Sequence, residues 1–461
     1  MPVDNKTVTE KLVRFTAETK YSDIPPAVTG FTKQLLLKTV SGILAGSIMP
    51  SGKKFTGLMK RRNSPEEVGV IGCDFQTSVW DAVFMEAFLA HASELEDDKL
   101  EGGEAWDITV IPVLLPLAQK LHLSGESLVE ALAVGLEVHV RTCLFSPALL
   151  GIGMFPGAIG PAAGGAKAMG LDIDKTRSAL GLGMSAVPLA FPNFGTDGHY
   201  LESALQALQG IIAADMAKEG MVGNPDIVTF VSNILGKDKV DPDRIVDSLG
   251  QRWLLQDIWI KKYPCCFVNH RQIDLLLDMK KKYQLTYDDV LTIEMHGSPS
   301  DEKCNRPQPK TEGDLQFSLQ NNLAAALLDG DVNFSHINLK IISDPRYVEA
   351  RSKVNVIIDR SRPAILLATP ATLIIKTKDG RSFKGERSWA VGSPREPLNA
   401  EQISALYTKF TKDVLTEEQT KKTAESILHL EDLKDVSDLM NALTFIKQAK
   451  APAGQKKKSK A

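Results

Sequence analysis

Apolar residues recur at helical spacing through most of the first 260 positions. Leu35, Leu36, Thr39, Val40, Ile43 and Leu44 mark one helix face, and Val129, Leu132, Ala133, Leu136 and Val140 mark another. Val83, Phe84, Phe88 and Leu89 keep the same period, predicting a helix with a buried face up to about residue 96. Gly164, Gly165, Ala166 and Ala168 predict a small-residue helix that lets neighbouring backbones approach, closed by Gly170. The texture changes at Lys261-Lys262-Tyr263-Pro264. There follow a predicted helix over 270–283, a strand over 290–297, a helix over 317–328, and strands at 354–359 and 371–377 with period-two alternation. Lys378-Asp379-Gly380 supplies a hairpin turn before Ser382 and Phe383. Amphipathic helix returns from about residue 399. The expected fold is mostly α with a second α+β domain. Residues 1–262 and 397–450 form a large helical domain from both chain ends, 263–396 form the smaller α+β domain, and 451–461 are a disordered basic tail.

Composition narrows the partners. The 461-residue chain is long enough for two or three sizeable cores. Its net charge of −3 argues against a nucleic-acid or membrane-surface partner, the exception being the short lysine cluster Lys456, Lys457, Lys458 and Lys460. Five cysteines, with Cys265 and Cys266 adjacent, give neither a disulfide framework nor a CxxC pair, so a reducing compartment is expected and both thiols read as packing residues. The first fifteen residues lack the apolar run of a signal peptide. The uncharged stretch 142–166 is interrupted by prolines and glycines and reads as close-packed structure rather than a membrane span. A dinucleotide site is not expected, because the glycine-rich run lacks GxGxxG spacing and no strand precedes it.

The richest chemistry lies in 80–104, where the helical run delivers His91, Glu94, Glu96, Asp97 and Asp98 toward Gly102 and Gly103. At i, i+3 and i+7, His91, Glu94 and Asp98 share a helical stripe, and Glu96 and Asp97 point elsewhere. Crowding on that stripe raises a carboxylate pKa, as a general base near neutral pH needs; the alternative is a solvated helix end. One His-x-x-Glu gives only two metal ligands, so no metal is expected. His199 lies in a glycine-rich loop before a helix whose apolar face is Leu201, Leu205 and Leu208. Lys261 and Lys262 make a cationic corner at a domain joint, suited to a carboxylate or simply solvated. Arg306 beside Pro307 is either a carboxylate clamp, with Lys303, or a loop salt bridge. Glu137 and Arg141, at i, i+4, read as a structural ion pair.

The opening KYSDIPPAVTGFTKQLLLKTVSGILAG, followed by AHASELEDD, GLEVHVR, GGAKAMGL, KKYPCCFVNHRQID, NRP and FSLQNNLAAALLDGDV, resembles the MmgE/PrpD family in content and order over about residues 8–440. That family includes 2-methylcitrate dehydratase, cis-aconitate decarboxylase and iminodisuccinate epimerase. The resemblance implies a site between a helical and an α+β domain, proton transfer next to a carboxylate of a small carboxylic-acid substrate, no cofactor, a cytoplasmic homodimer, and no membrane. It also implies catalytic roles for His199, Glu94, His91, Asp98 and Lys261, and substrate binding by Lys303, Arg306, His270, Asp97 and Trp106. The sequence departs from the family pattern at Ala105 and Gly151, which stand where histidines are usual. Another departure is the segment in which His199 replaces a lysine and Glu202 a histidine. Trp106 and Asp107 fall at the turn where the family keeps its histidine, Asp107 being a replacement acid there. The activity implied is a dehydratase- or decarboxylase-like lyase; an isomerase or epimerase, or a non-catalytic metabolite-binding descendant, are the alternatives.

Overall fold

The computed structural model describes residues 5–99, 104–105, 107–143, 157–185, 193–228, 242–364 and 369–446. The main helices of the first part among the described residues are α1 (Asn5–Glu18), α2 (Pro26–Ile48), α3 (Pro50–Lys60), α4 (Val79–Ala92), α5 (Asp107–Leu121), α6 (Gly125–Thr142), α7 (Ile159–Ala168), α8 (Ile173–Gly183) and α9 (Asp197–Lys218). Two short ladders punctuate them, β1 (Val68–Gly69) with β2 (Gln76–Thr77) and β3 (Asp98–Lys99) with β4 (Glu104–Ala105). Proline opens both α2 and α3, where its missing N–H costs nothing, and the chain turns 81° between them. Buried on nearly every face, α2 is the central helix. Its contact with α4 requires Gly46, since a Cβ there would stand 1.8 Å from the Leu89 carbonyl oxygen. The small-residue α7 packs as its composition predicts, for a Cβ on Gly135 would lie 3.0 Å from Gly164 Cα. No single described helix is long and apolar enough to cross a membrane.

The α+β part holds α10 (His270–Tyr283), β5 (Val290–Gly297), α11 (Leu319–Asp329), β6 (Val354–Ile358), β7 (Ala371–Thr377) and β8 (Ser382–Arg387). Its sheet runs β6-β5-β7-β8, with β5–β6 parallel and the other pairs antiparallel. Ile293, Met295, Leu373 and Ile375 pack with Leu275, Leu276, Met279 and Leu323 of α10 and α11. The sequence places β5 and β7 at their observed limits, and the turn after β7 carries Gly380 at φ +86°. The helix expected from residue 317 starts instead at Leu319, because Ser318 caps it by accepting from the Asn321 N–H at 3.0 Å. Three helices, α12 (Ala400–Thr411), α13 (Glu417–Leu428) and α14 (Ser437–Leu443), then return the chain to the first part. Ile403, Tyr407, Ile427 and Met440 join the core of Leu36, Val40 and Leu89.

Two departures from the sequence reading matter. The helix leading to the acidic cluster ends at Ala92, four residues early, so no helical stripe joins Glu94 to Asp98. On α9 the supposed apolar face is turned outward, with Leu201 and Leu205 exposed, while His199, Glu202, Ser203 and Gln206 face inward.

Candidate active site

The acidic segment is buried, and one backbone angle explains how. After Ser93, Glu94 takes φ +53°, a left-handed conformation rare for a residue with a side chain, and the chain leaves the helix axis. Lys38 of α2 fixes the turn by donating to the Leu95 carbonyl at 2.7 Å. Glu94 and Glu96 then converge on Lys261 instead of diverging. The buried Lys261 ammonium donates to the Glu94 carbonyl at 3.2 Å, to Glu94 Oε2 at 3.3 Å and to Glu96 Oε1. Burial alone pulls that ammonium pKa down; the Glu96 and Glu94 charges outweigh it and hold Lys261 charged. Burial, then repulsion from Glu96, push Glu94 well above the usual carboxylate range despite Lys261.

Asp97 ties the acidic segment to Lys261 and to Asp107. Its Oδ1 accepts from the Lys261 N–H at 2.8 Å and lies 3.6 Å from the Lys38 ammonium. Its own N–H donates to Asp107 at 2.9 Å, and Thr39 donates to the other Asp107 oxygen at 2.6 Å. Burial raises the Asp107 carboxyl to about 6. Asp98 opens β3, its backbone bridged to Trp259 just ahead of Lys261 (2.7 and 3.0 Å), and burial raises its carboxyl to about 8.

His199, in the first turn of α9, brings the second wall. His199 Nε2 lies 3.7 Å from Glu94 Oε1, and its Nδ1 is hydrogen-bonded to Glu202 Oε2 at 3.1 Å. Asn193 donates to the other Glu202 oxygen at 2.5 Å, and burial lifts that carboxyl to about 7. His91 lies beside it, ring centroids 4.2 Å apart and the planes tilted by 58°, with Nδ1 and Ser203 Oγ hydrogen-bonded at 2.8 Å. Both rings are neutral at physiological pH: burial holds His91 down to about 4, and burial with the neighbouring His91 and Lys261 holds His199 well below its usual value. Among the described residues Glu94 Oε1 accepts no hydrogen bond. His91, Glu94 and His199 each offer a ligand atom within 4.8 Å of the others.

Aromatic and cationic side chains from both parts surround the cluster. Phe194 and Phe317 flank His199, with centroids at 4.6 and 5.8 Å. The Lys303 ammonium lies 4.3 Å from the Phe194 centroid, and its charge reaches both His199 and Asp98. Tyr200 donates to Gln316 Oε1 at 2.8 Å and Gln316 Nε2 donates to the Ala92 carbonyl at 3.1 Å, tying α9, the end of α4 and the α+β part together.

Other expected binding residues are placed differently. The Arg306 guanidinium is committed to Asp314 at 2.8 Å, the Phe194 carbonyl at 2.8 Å and the Lys303 carbonyl at 3.1 Å, so it braces the loop carrying Phe194 rather than presenting an open fork. His270 packs on Phe267 and Tyr263 with Nε2 hydrogen-bonded to the Cys265 carbonyl at 3.3 Å. Trp106 and Gly151 lie outside the described residues. The Glu137–Arg141 pair is the buried structural bridge its spacing predicts, at 2.5 Å. Cys265 and Cys266 are buried in the apolar cluster of the α+β part, as expected of packing residues, and a hydrogen bond from Cys304, with the Lys303 and Lys261 charges, brings the Cys266 thiol down to about 6. Sequence reasoning left out Glu202, Tyr200 and Asn193 as site residues; the i, i+3 spacing of His199 and Glu202 at a helix start is the signal that finds the pair.

A large helical part, a smaller α+β part and a buried cluster of acid and base side chains where they meet define the class of protein. The chain belongs to the MmgE/PrpD family. The MmgE/PrpD N-terminal domain matches residues 10–233 and the MmgE/PrpD C-terminal domain residues 263–432. It is similar to cis-aconitate decarboxylase of Mus musculus, at 25% identity over 99% of this chain and 96% of the relative. The Homo sapiens cis-aconitate decarboxylase is 26% identical over 78% of this chain and 79% of the relative. A cis-aconitate decarboxylase-like protein of Aspergillus oryzae is 24% identical over 94% and 96%.

Proposed function

We propose that the protein is a cofactor-free lyase of the dehydratase or decarboxylase type, moving a proton next to a carboxylate of a small carboxylic acid. The observation that carries this reading is the Glu202–His199–Glu94 row. A neutral imidazole oriented through Nδ1 by a carboxylate is a competent general base at Nε2. Glu94, kept protonated by burial, is the matching acid 3.7 Å away. One group takes the proton and its neighbour delivers one to the carbon or leaving group. Base and acid stand side by side on one wall, which supports a lyase over an epimerase, because inversion at carbon needs groups on opposite faces. His91, His199, Glu94 and Lys261 share the buried cluster, which supports catalysis over a purely binding role.

Lys303, whose charge reaches both His199 and Asp98, is the cation proposed to meet a substrate carboxylate. The test is deuterium incorporation in D2O, followed by proton NMR, with citrate, 2-methylcitrate, cis-aconitate, iminodisuccinate and smaller mono- and dicarboxylates. Exchange is expected with at least one acid and falls by roughly 100-fold or more in His199→Asn. Absence of exchange with all of them overturns the proposal.

A further inference from the structure

We propose that His91, Glu94 and His199 form a binding site for a divalent transition-metal ion of the zinc class, and that an ion held there blocks the proton transfer. The blocking half rests on the acid/base reading given above; the site itself does not. In the sequence, His91 and Glu94 supply two donors and nothing nearby completes a set. The fold supplies the third from α9, bringing all three ligand atoms within 4.8 Å of one another.

Each donor is also prepared for the role. A histidine that binds a metal through one nitrogen commonly engages the other with a carboxylate or another polar group, which fixes ring orientation and tautomer. Both rings have that arrangement: Nδ1 of His199 meets Glu202 at 3.1 Å and Nδ1 of His91 meets Ser203 at 2.8 Å, which leaves Nε2 on each for an ion. The third donor, Glu94 Oε1, belongs to a residue 1% exposed and accepts no hydrogen bond among the described residues. A buried carboxyl oxygen without a partner is costly, and an ion that takes the place of the proton there supplies one. Ligands of a tetrahedral ion at about 2.1 Å stand about 3.4 Å apart, so the 3.7 Å between His199 Nε2 and Glu94 Oε1 is almost closed already, and side-chain rotation brings in His91.

Donor type sets the ion. Two imidazoles and one carboxylate favour zinc, cobalt, iron or manganese over magnesium or calcium. An ion there takes His199 Nε2 and Glu94 Oε1, the atoms assigned to the base and the acid, so metal and turnover exclude each other.

Cobalt(II) and zinc(II) are the probes, added to the EDTA-treated full chain. One Co²⁺ per chain with a visible d–d band is expected, displaced by one Zn²⁺ measured by calorimetry. Glu94→Gln and His199→Gln each weaken Zn²⁺ binding by roughly 100-fold or more, and circular dichroism checks that both fold. Should one not fold, the other and His91→Gln carry the comparison. Cys266→Ser leaves binding unchanged. No stoichiometric Co²⁺ or Zn²⁺ binding, affinity indifferent to the triad variants, or loss only in Cys266→Ser overturns the site. Where the D2O assay gives exchange, Zn²⁺ suppresses it at the calorimetric stoichiometry; undiminished exchange in the zinc-loaded protein overturns the block. Metal binding without exchange activity in any preparation supports the site and removes the acid/base reading instead.

Discussion

Glu86 shows how burial of one side chain writes itself into the pH dependence of the whole protein. Its Oε1 accepts from the Ile71 N–H at 3.0 Å, Oε2 has no hydrogen-bond partner among the described residues, and burial raises the carboxyl from the usual 4.5 to about 8. Between those two values the unfolded chain releases a proton that the folded chain keeps. Stability from this group therefore falls as pH rises from about 4.5 to about 8, and is level above. Glu86→Gln keeps the acceptor and removes the titration, so its melting temperature changes less between pH 5 and pH 8 than that of the parent; parallel curves in scanning calorimetry would refute this. Glu202 offers the catalytic counterpart. Glu202→Gln leaves a hydrogen-bonding group at His199 Nδ1 but withdraws the negative charge that supports an imidazolium, so kcat is expected to drop by roughly 10²- to 10⁴-fold with little change in KM. Histidines and acids near Glu94 were legible in the sequence as candidates. Their pairing was not, because the contact of His199 with Glu94 spans over a hundred residues and depends on the left-handed turn at Glu94.

At the scale of elements, period and turn chemistry located most helices and the strands β5 and β7, since amphipathic repeats and a Lys-Asp-Gly turn are local signals. They misplaced the end of α4 for a physical reason. The residues after Ala92 remain buried, so apolar and acidic positions continue a helix-like pattern while Lys38 and Lys261 draw the backbone into a different path. The same elements predict a large cost for losing Lys261. Lys261→Met leaves the Glu96 carboxylate buried without its cation and removes the donor to the Glu94 carbonyl, with an expected destabilisation of roughly 3–5 kcal/mol. Adding Glu96→Gln to Lys261→Met recovers part of that loss, because the uncompensated charge is then gone. Urea titration of the single and double variants measures both steps, and a double variant no more stable than the single would mean that the charge is not the cause.

For the whole molecule, the joint between its two parts depends on a few polar threads, and Gln316 is the one that touches both walls of the site. It accepts from Tyr200 of α9 and donates to the Ala92 carbonyl at the end of α4, while its own carbonyl accepts from Cys266, next to the joint. Gln316→Leu keeps the volume and removes both side-chain bonds, leaving a buried tyrosine hydroxyl and a helix-end carbonyl without partners. Each unsatisfied group costs about 1–3 kcal/mol. The loss should concentrate at the joint, because the cores around Leu36 and Ile293 are separate apolar clusters that the substitution does not enter. Amide hydrogen exchange is therefore expected to quicken in 92–98 and 197–203 while α2 and β5 keep their protection. The proton-transfer rate should fall with it, since the distance between His199 and Glu94 is set by the two segments that Gln316 ties. Uniformly faster exchange across both cores would mean that Gln316 supports global stability instead of the geometry of the joint.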